Sequence, residues 1–329
     1  MIVADIISFL GNQLFIYAAT KSIALDLGYT YRYRVLKPIG AFGKNETIKE
    51  IGHQYIYDFE KAFHIDTSER VDELIQLENS WTYYALSDTN FNEEVYAIKD
   101  NTHLKGHYGS PKYFEHRRTE VLGWFKFHDE YLEKGYGRVK QIKEACEASL
   151  IISIHMRYGN YRRHGLSLDP TYYRNAMVKM RELFCDRDLC FILFSDEPKE
   201  AKTLLNMNNI IIAHGNMMDD LCLMTLCDGH IVSNSTFAWW GAWLSDSKIV
   251  IRPSIWAVSD RKLSPTDIYP SHWVTVESVL EKLTPRVIVH RIAMEYPATI
   301  RAWIKKPFVI FKKLIRKLLK VFRKAHGII

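Results

Sequence analysis

Apolar residues occur in short runs of two kinds along the chain, and their alternation predicts the architecture. Ile2 to Ile7 is a mostly apolar run, the mark of a strand buried on both faces. A turn at Ser8 to Asn12 follows, and Gln13 to Leu27 then carries apolar residues at helical spacing up to Gly28, a good helix stop. Tyr29 to Val35 alternates like a second strand. A strand, turn, helix and strand in this order indicate the start of a doubly wound α/β domain.

From Lys37 to Asn101 the pattern is more polar and less regular, with short helical pieces such as Val71 to Leu77. Thr102 to Gly109 reads as a strand, Pro111 sits where a helix begins, and Lys112 to Phe127 continues that helix. A second α/β unit begins near Cys146. Its predicted strands are Leu150 to Met156, Leu189 to Ser195, Ile210 to Ala213, Gly229 to Ser233 and Lys248 to Arg252. Its predicted helices are Thr171 to Phe184, Glu197 to Leu205, Asp219 to Cys227 and Thr236 to Leu244. Repeated alternation of this kind implies a mainly parallel sheet with helices on both faces. The expected fold is α/β, with two Rossmann-like doubly wound domains facing a cleft: residues 1–145, residues 146–285, and a tail at 286–329. A length of 329 residues also exceeds what one core comfortably serves.

The net charge of +6 is not spread evenly. Glu295 is the last acidic residue, and ten Lys and Arg follow it between Arg301 and Lys324. Without those ten the chain holds slightly more acid than base, which argues against a nucleic-acid partner bound on the body of the fold. Five cysteines without a C-x-x-C spacing suggest neither zinc nor a disulfide framework, so ordinary thiols are expected. The apolar N-terminus lacks a basic opening and is interrupted by Asp5, Asn12 and Gln13, unlike a signal peptide. No apolar run is long enough to span a bilayer. The expected location is cytoplasmic.

Four segments at predicted strand ends carry the polar groups that chemistry would need. His155-Met156-Arg157-Tyr158-Gly159-Asn160-Tyr161 follows a strand, where open α/β sheets bind ligands. Arg157 offers a planar charged fork suited to phosphate, and His155 is either a donor to phosphate or base, or a core histidine. Ser233-Asn234-Ser235-Thr236-Phe237 runs from a strand into a helix, whose exposed N–H groups and dipole attract anions. Capping by Asn234 or Ser235 is the alternative there. Trp239, Trp240 and Trp243 are read as helix packing rather than as a sugar platform. Asp196, in Phe194-Ser195-Asp196-Glu197-Pro198, either accepts hydrogen bonds from a nucleoside or caps the next helix. Gly11 and Asn12 lie in the first turn. This turn is not G-x-G-x-x-G, so a dinucleotide fingerprint and a dehydrogenase are disfavoured.

Taken in order, these segments resemble the α-1,2-fucosyltransferases of glycosyltransferase family 11. That family opens with G-G-L-G-N-Q-M-F-Q-Y-A, and the chain reads S-F-L-G-N-Q-L-F-I-Y-A from Ser8 to Ala18. The family's H-x-R-R-G-D-Y is matched by H-M-R-Y-G-N-Y from His155, and its F-S-D-D-P by F-S-D-E-P from Phe194. Its N-S-S-F-S-W-W-G-A-W-L corresponds to N-S-T-F-A-W-W-G-A-W-L from Asn234. Gly106 to Phe114 and Asp267 to Trp273 are similar to two further elements, so the resemblance spans about residues 1 to 275.

The resemblance implies a GT-B-like fold and inverting transfer of L-fucose from GDP-fucose to a hydroxyl, the 2-OH of a galactose, on a glycan or glycolipid acceptor. It assigns Arg157 to the donor diphosphate and places His155 beside the nucleotide. Ser235, Thr236 and Phe237 become further donor contacts, Asn12 reaches the donor from the first domain, and Gly11 and Asp196 complete the expected donor-binding set. No cofactor and no metal are implied. Three departures stand out: Tyr158 replaces the second arginine, Asn160 replaces the aspartate, and Ser8 and Phe9 replace two glycines. They leave open another sugar nucleotide or linkage, or a non-catalytic nucleotide- or carbohydrate-binding protein. Arg162 or Arg163 is a candidate to restore the missing charge. In the tail, Phe308, Phe311, Ile315, Leu318 and Phe322 recur at helical spacing among lysines and arginines. That pattern reads as a basic amphipathic helix making peripheral contact with the inner membrane surface through residues 300–324, or as a helix packed on the body or on a partner.

Overall fold

The computed structural model describes residues 1–36, 58–71, 81–86, 90–185, 187–206, 210–256 and 266–282. The predicted helical piece at Val71 to Leu77, beyond Val71 itself, and the whole basic tail lie outside the described residues. The side chains of Asn160 and Arg163 do too.

Two all-parallel sheets form the frame. The first has strands β1 (Ile2–Ile6), β2 (Tyr31–Val35), β3 (Thr82–Ala85) and β4 (Thr102–Lys105) in the order β2-β1-β4-β3. The second has β5 (Leu150–Met156), β6 (Leu189–Ser195), β7 (Ile210–Ile212), β8 (Gly229–Ile231), β9 (Val250–Pro253) and β10 (Val274–Val276) in the order β10-β9-β8-β5-β6-β7. The chain winds outward from β5 to β7, then returns to the other side of β5. The strand order therefore reverses between β5 and β8, where open α/β sheets leave a crevice at their carboxyl ends. This is the expected GT-B-like layout of two doubly wound sheets.

Local sequence explains the elements. Helix α1 (Leu10–Asp26) is apolar on nearly every side and buried from Leu10 to Ala24 except at Asn12. Gly28 ends it with a left-handed φ of 69°, which costs glycine little. In β2 alternate residues Tyr31, Tyr33 and Val35 face the core, where Tyr17 of α1 meets the Tyr31 and Tyr33 rings edge-on at 5.7 and 5.3 Å. A short helix α2 (Asp58–Ala62) adds Phe59 to this cluster.

The predicted helix at Lys112 to Phe127 is broken. Two 3-10 turns, Pro111–Tyr113 and Glu115–Arg117, precede α3 (Arg118–Trp124), and Phe114 between the turns has φ −142°. The break lets Tyr113 turn to Phe91, 4.9 Å away, while Phe114 stacks on Trp240 at 5.4 Å. One continuous helix could not aim adjacent rings at both.

Helix α4 (Asp129–Cys146) gave no signal in the sequence pattern. It is polar, contains Gly135 and Gly137, and buries only Gly135 fully. Gly135 permits close packing on the next layer: a Cβ there would lie 2.7 Å from Leu226 Cδ1. The remaining helices are α5 (Gly159–His164), α6 (Pro170–Leu183), α7 (Pro198–Leu205), α8 (Met217–Thr225) and α9 (Thr236–Trp243). Helices α6 and α7 start with proline, whose missing N–H costs nothing at that position.

Cys146 and Cys190 are joined, with Cα atoms 6.1 Å apart, which corrects the expectation of thiols at those two positions. Cys146 is the last residue of α4 and Cys190 the second of β6, so the pairing depends on a helix-to-sheet contact that spacing does not reveal. Cys185, Cys222 and Cys227 are free.

One aromatic core runs across both sheets. Phe15 of α1 lies 4.5 Å from Trp239 and 5.1 Å from Trp240, ring centre to ring centre, and Phe114 also packs on both. The tryptophans are thus packing residues. Trp239 and Trp240 are fully buried and satisfy their indole N–H groups on the backbone carbonyls of Ile268 and Gly11.

Candidate functional site

The site assembles where β5 and β8 end side by side. Ile154 is paired with Ile231, so the residues beyond each strand emerge together. His155 is 5% exposed, and its Nδ1 lies 2.8 Å from Ser233 Oγ. One rung deeper, Ser153 Oγ and His230 Nδ1 are 2.7 Å apart. Burial and then the neighbouring Arg157 guanidinium push the His155 pKa down to about 4, and burial pushes His230 down to about 3. Both rings are neutral near pH 7.

Arg157 follows β5 and keeps about a third of its side chain exposed, at 32%. Its Nη1 lies 3.2 Å from Asp196 Oδ2, and its guanidinium lies 5.7 Å from the centre of the Tyr161 ring. Asp196 Oδ1 accepts the backbone N–H of Tyr158 at 2.8 Å. Gly159 is needed beside it, because a Cβ there would fall 2.7 Å from Asp196 Oδ2. Asp196 does not cap α7: Glu197 holds that position, without a side-chain cap bond. The carboxylate instead orients the arginine.

The turn from β8 into α9 is also free of side-chain caps. Ser235 sits at the cap position with no cap bond, and Asn234 donates its amide to Leu166 O at 3.0 Å. Capping, the alternative open in the sequence, is not what these residues do. Helix α1 begins in the same way: Phe9 provides no side-chain cap, and neither helix has an acidic residue in its first turn.

The two helix starts touch. A Cβ on Gly11 would lie 2.5 Å from the carbonyl carbon and the Oγ1 of Thr236 and 2.6 Å from the Phe237 nitrogen. Trp240 Nε1 donates to Gly11 O at 3.0 Å and holds the contact. Two positive dipole ends therefore converge at one point, a setting that favours an anion. Phe237 lies 5.7 Å from His155, ring to ring. Asn12 donates its amide to Ser8 Oγ at 2.9 Å, so its side chain stays with its own turn. Ser8 has a left-handed φ of 72°.

Of the expected site residues, the fold brings His155, Phe237, Thr236 and Gly11 into one cluster through direct contacts. Arg157 and Asp196 form a second pair at the same sheet edge. Tyr158 is 1% exposed and packs in the core, with the Arg162 guanidinium 5.1 Å from its ring centre, so it adds nothing polar to the edge. Arg162 cannot supply the missing charge. It is 3% exposed and clamped by Glu281, through Nε at 2.8 Å and Nη2 at 2.6 Å, and also by Glu200. Sequence reasoning missed Ser233 as the partner of His155, which the pairing of β5 with β8 brings to within one residue of register. Among the described residues no cluster of three His, Cys, Asp or Glu side chains could hold a metal, and no helix is long and apolar enough to cross a membrane.

Two doubly wound parallel sheets meeting at a junction of two helix starts define an α/β protein of GT-B-like layout. The family profile for Glycosyl transferase family 11 matches residues 43–277, and the chain belongs to that family. It is 26% identical to an α-1,2-colitosyltransferase of Escherichia coli over 84% of this chain and 99% of that protein. It is 24% identical to the mouse (Mus musculus) galactoside α-(1,2)-fucosyltransferase 2 over 56% of this chain, spanning about half (54%) of the mouse enzyme. Among solved structures, the α-1,6-fucosyltransferase NodZ soaked with GDP-fucose superposes with a TM-score of 0.46 at 12% identity, over 77% of this chain and 94% of that one.

Proposed function

We propose that the protein transfers L-fucose from GDP-fucose, with inversion, to a glycan hydroxyl, the 2-OH of a galactose. The observation that carries this reading is the contact of two uncapped helix starts, at Gly11 and Thr236, beside the sheet edge that bears Arg157. In the reaction the acceptor oxygen bonds to the anomeric carbon while the bond from that carbon to the β-phosphate oxygen breaks. The electron pair leaves with GDP. The acceptor proton passes to a phosphate oxygen, since Asn160 is no base. Negative charge grows on the leaving diphosphate, where Arg157, Ser235 and Thr236 stabilise it electrostatically. His155 and Phe237 flank the nucleotide, Asp196 steadies Arg157, and Gly11 closes the site from the first sheet, with Asn12 holding the turn around it through Ser8. The positive charge is the protein's own, so we propose that no metal is required.

A second reading has support from the colitosyltransferase relative, aligned over most of the chain, and from the loss of the family's second arginine at Tyr158. In that reading the donor sugar is colitose, which is fucose without its 3-OH. The test is transfer to a lactose-type acceptor from GDP-fucose and from its 3-deoxy analogue, with Arg157→Ala alongside. We expect Arg157→Ala to lower kcat roughly 100-fold or more. Turnover equal to wild type would remove Arg157 from the mechanism, and GDP binding without transfer from either donor would mark a non-catalytic member. We further propose that the protein works on the cytoplasmic side, with residues 300–324 resting on the inner membrane surface near lipid-linked acceptors.

A further inference from the structure

Arg252 was not among the residues that the motifs single out. It lies in an ordinary-looking strand end, Ile251-Arg252-Pro253-Ser254. Register gives it a place. Ile231 pairs with Ile154 on one side and with Ile251 on the other. His155, Val232 and Arg252 are each one residue further on, so they stand level across three neighbouring parallel strands, on the same face. Helix α9 starts from the middle strand. His155 and Arg157 therefore border its start on one side, and Arg252 borders it on the other. Tyr172 marks the same level, donating its hydroxyl to Val232 O at 2.6 Å.

Part of the Arg252 guanidinium is left unused. Among the described residues no carboxylate lies within ion-pair distance of it, as also holds for Arg118, Arg174 and Arg181, whereas Arg157 and Arg162 each have one. Its Nη1 donates to Pro253 O at 3.2 Å, and its guanidinium lies 4.9 Å from the centre of the Tyr269 ring. Among the described residues the buried Nε has no partner, and neither has the buried Tyr269 hydroxyl. A half-buried guanidinium whose buried Nε is unmatched, beside a buried phenol hydroxyl in the same condition, leaves two polar atoms that a further polar group would complete. Electrostatics links this pair to the known edge of the site. Burial raises the Tyr269 phenol while Arg252 opposes that rise, and burial raises Tyr161 while Arg157 opposes it. Tyr269 and Tyr161 are also within electrostatic reach of each other.

We propose that Arg252 is the second cationic contact for the donor diphosphate, the charge that Tyr158 does not provide. Arg157 and Arg252 then hold the phosphates from opposite sides of the α9 start, with Tyr269 as the ring against which Arg252 is held. This rests on the reading of the junction as a nucleotide-diphosphate site.

The test is calorimetric titration of the full chain with GDP, GMP and guanosine, for wild type, Arg252→Met and Arg157→Ala. We expect Arg252→Met to weaken GDP binding at least 10-fold, to weaken GMP less, and to leave guanosine unchanged, with the salt dependence of GDP binding reduced. GDP affinity equal to wild type in Arg252→Met, beside a loss in Arg157→Ala, overturns the role of Arg252 and leaves the site standing. Unchanged affinity in both variants overturns the site itself and this proposal with it. Equal losses for GDP and guanosine would mark Arg252 as merely structural and also overturn the proposal. If Arg252→Met does not fold, Arg252→Gln, which keeps the stem and a donor group, reads the same differences.

Discussion

Gly11 and Thr236 approach so closely that a single methyl group on the glycine would fall 2.5 Å from the threonine backbone. Each residue opens a helix, and the two helices come from different sheets. Gly11→Ala must push the helix starts apart or strain both. Overpacking of this kind costs about 1–3 kcal/mol. We expect a lower thermal midpoint together with weakened GDP binding, both measured on the purified variant. Gly123→Ala, where an added Cβ meets nothing within 4 Å, serves as the control and should keep wild-type donor affinity.

Acid should destabilise the protein within a defined window. His155 has an ordinary value of 6.5 when unfolded and about 4 when folded. Below pH 6.5 the unfolded chain takes up a proton that the folded one refuses until about pH 4. The contribution to stability is therefore complete above pH 6.5, falls through the window and levels off below it. His230 extends the loss to about pH 3. Denaturant titrations between pH 7 and pH 4 should show the decline. His155→Gln should flatten it by roughly 1.4 kcal/mol for each pH unit removed.

Arg162 is an anchor between α5, α7 and the segment after β10, not a donor contact. Removing one member of a buried ion cluster leaves the others uncompensated and costs about 3–5 kcal/mol. Arg162→Ala should lower the thermal midpoint by many degrees, and the folded fraction should bind GDP as wild type does. A selective loss of GDP affinity at unchanged stability would return Arg162 to the site.

The basic tail gives a separate expectation. Deleting residues 300–329 should abolish sedimentation with anionic vesicles and leave transfer to a soluble acceptor intact. Equal sedimentation of both forms removes the membrane role.

The frame was legible in the sequence because its signals are local. Ile2 to Ile6 and Leu150 to Met156 announce buried strands by composition, Gly28 announces a helix stop, and Pro170 a helix start. Arg157 and Thr236 were legible as strand-end residues. The rest depended on contacts between distant segments. Helix α4 was hidden because it is polar and buries only Gly135 fully, so it has no apolar face to announce it. The broken stretch around Phe114 followed helical spacing until tertiary burial of its rings overrode it. Ser8 shows why the related motif has glycine at that position: its φ of 72° is left-handed, a conformation that costs a side-chain-bearing residue roughly 1 kcal/mol. Arg252 has no motif at all, and only the register of β8 with β9 brings it to the junction.

The aromatic core shared by Phe15, Phe114, Trp239 and Trp240 also bears on how the chain can be divided. Each half of the molecule contributes rings that the other keeps dry. A gene split between the two sheets would yield two fragments, each with a broad oily face exposed, and neither could be expected to stay in solution alone. Produced together, they would have the means to find each other and restore activity without a covalent link.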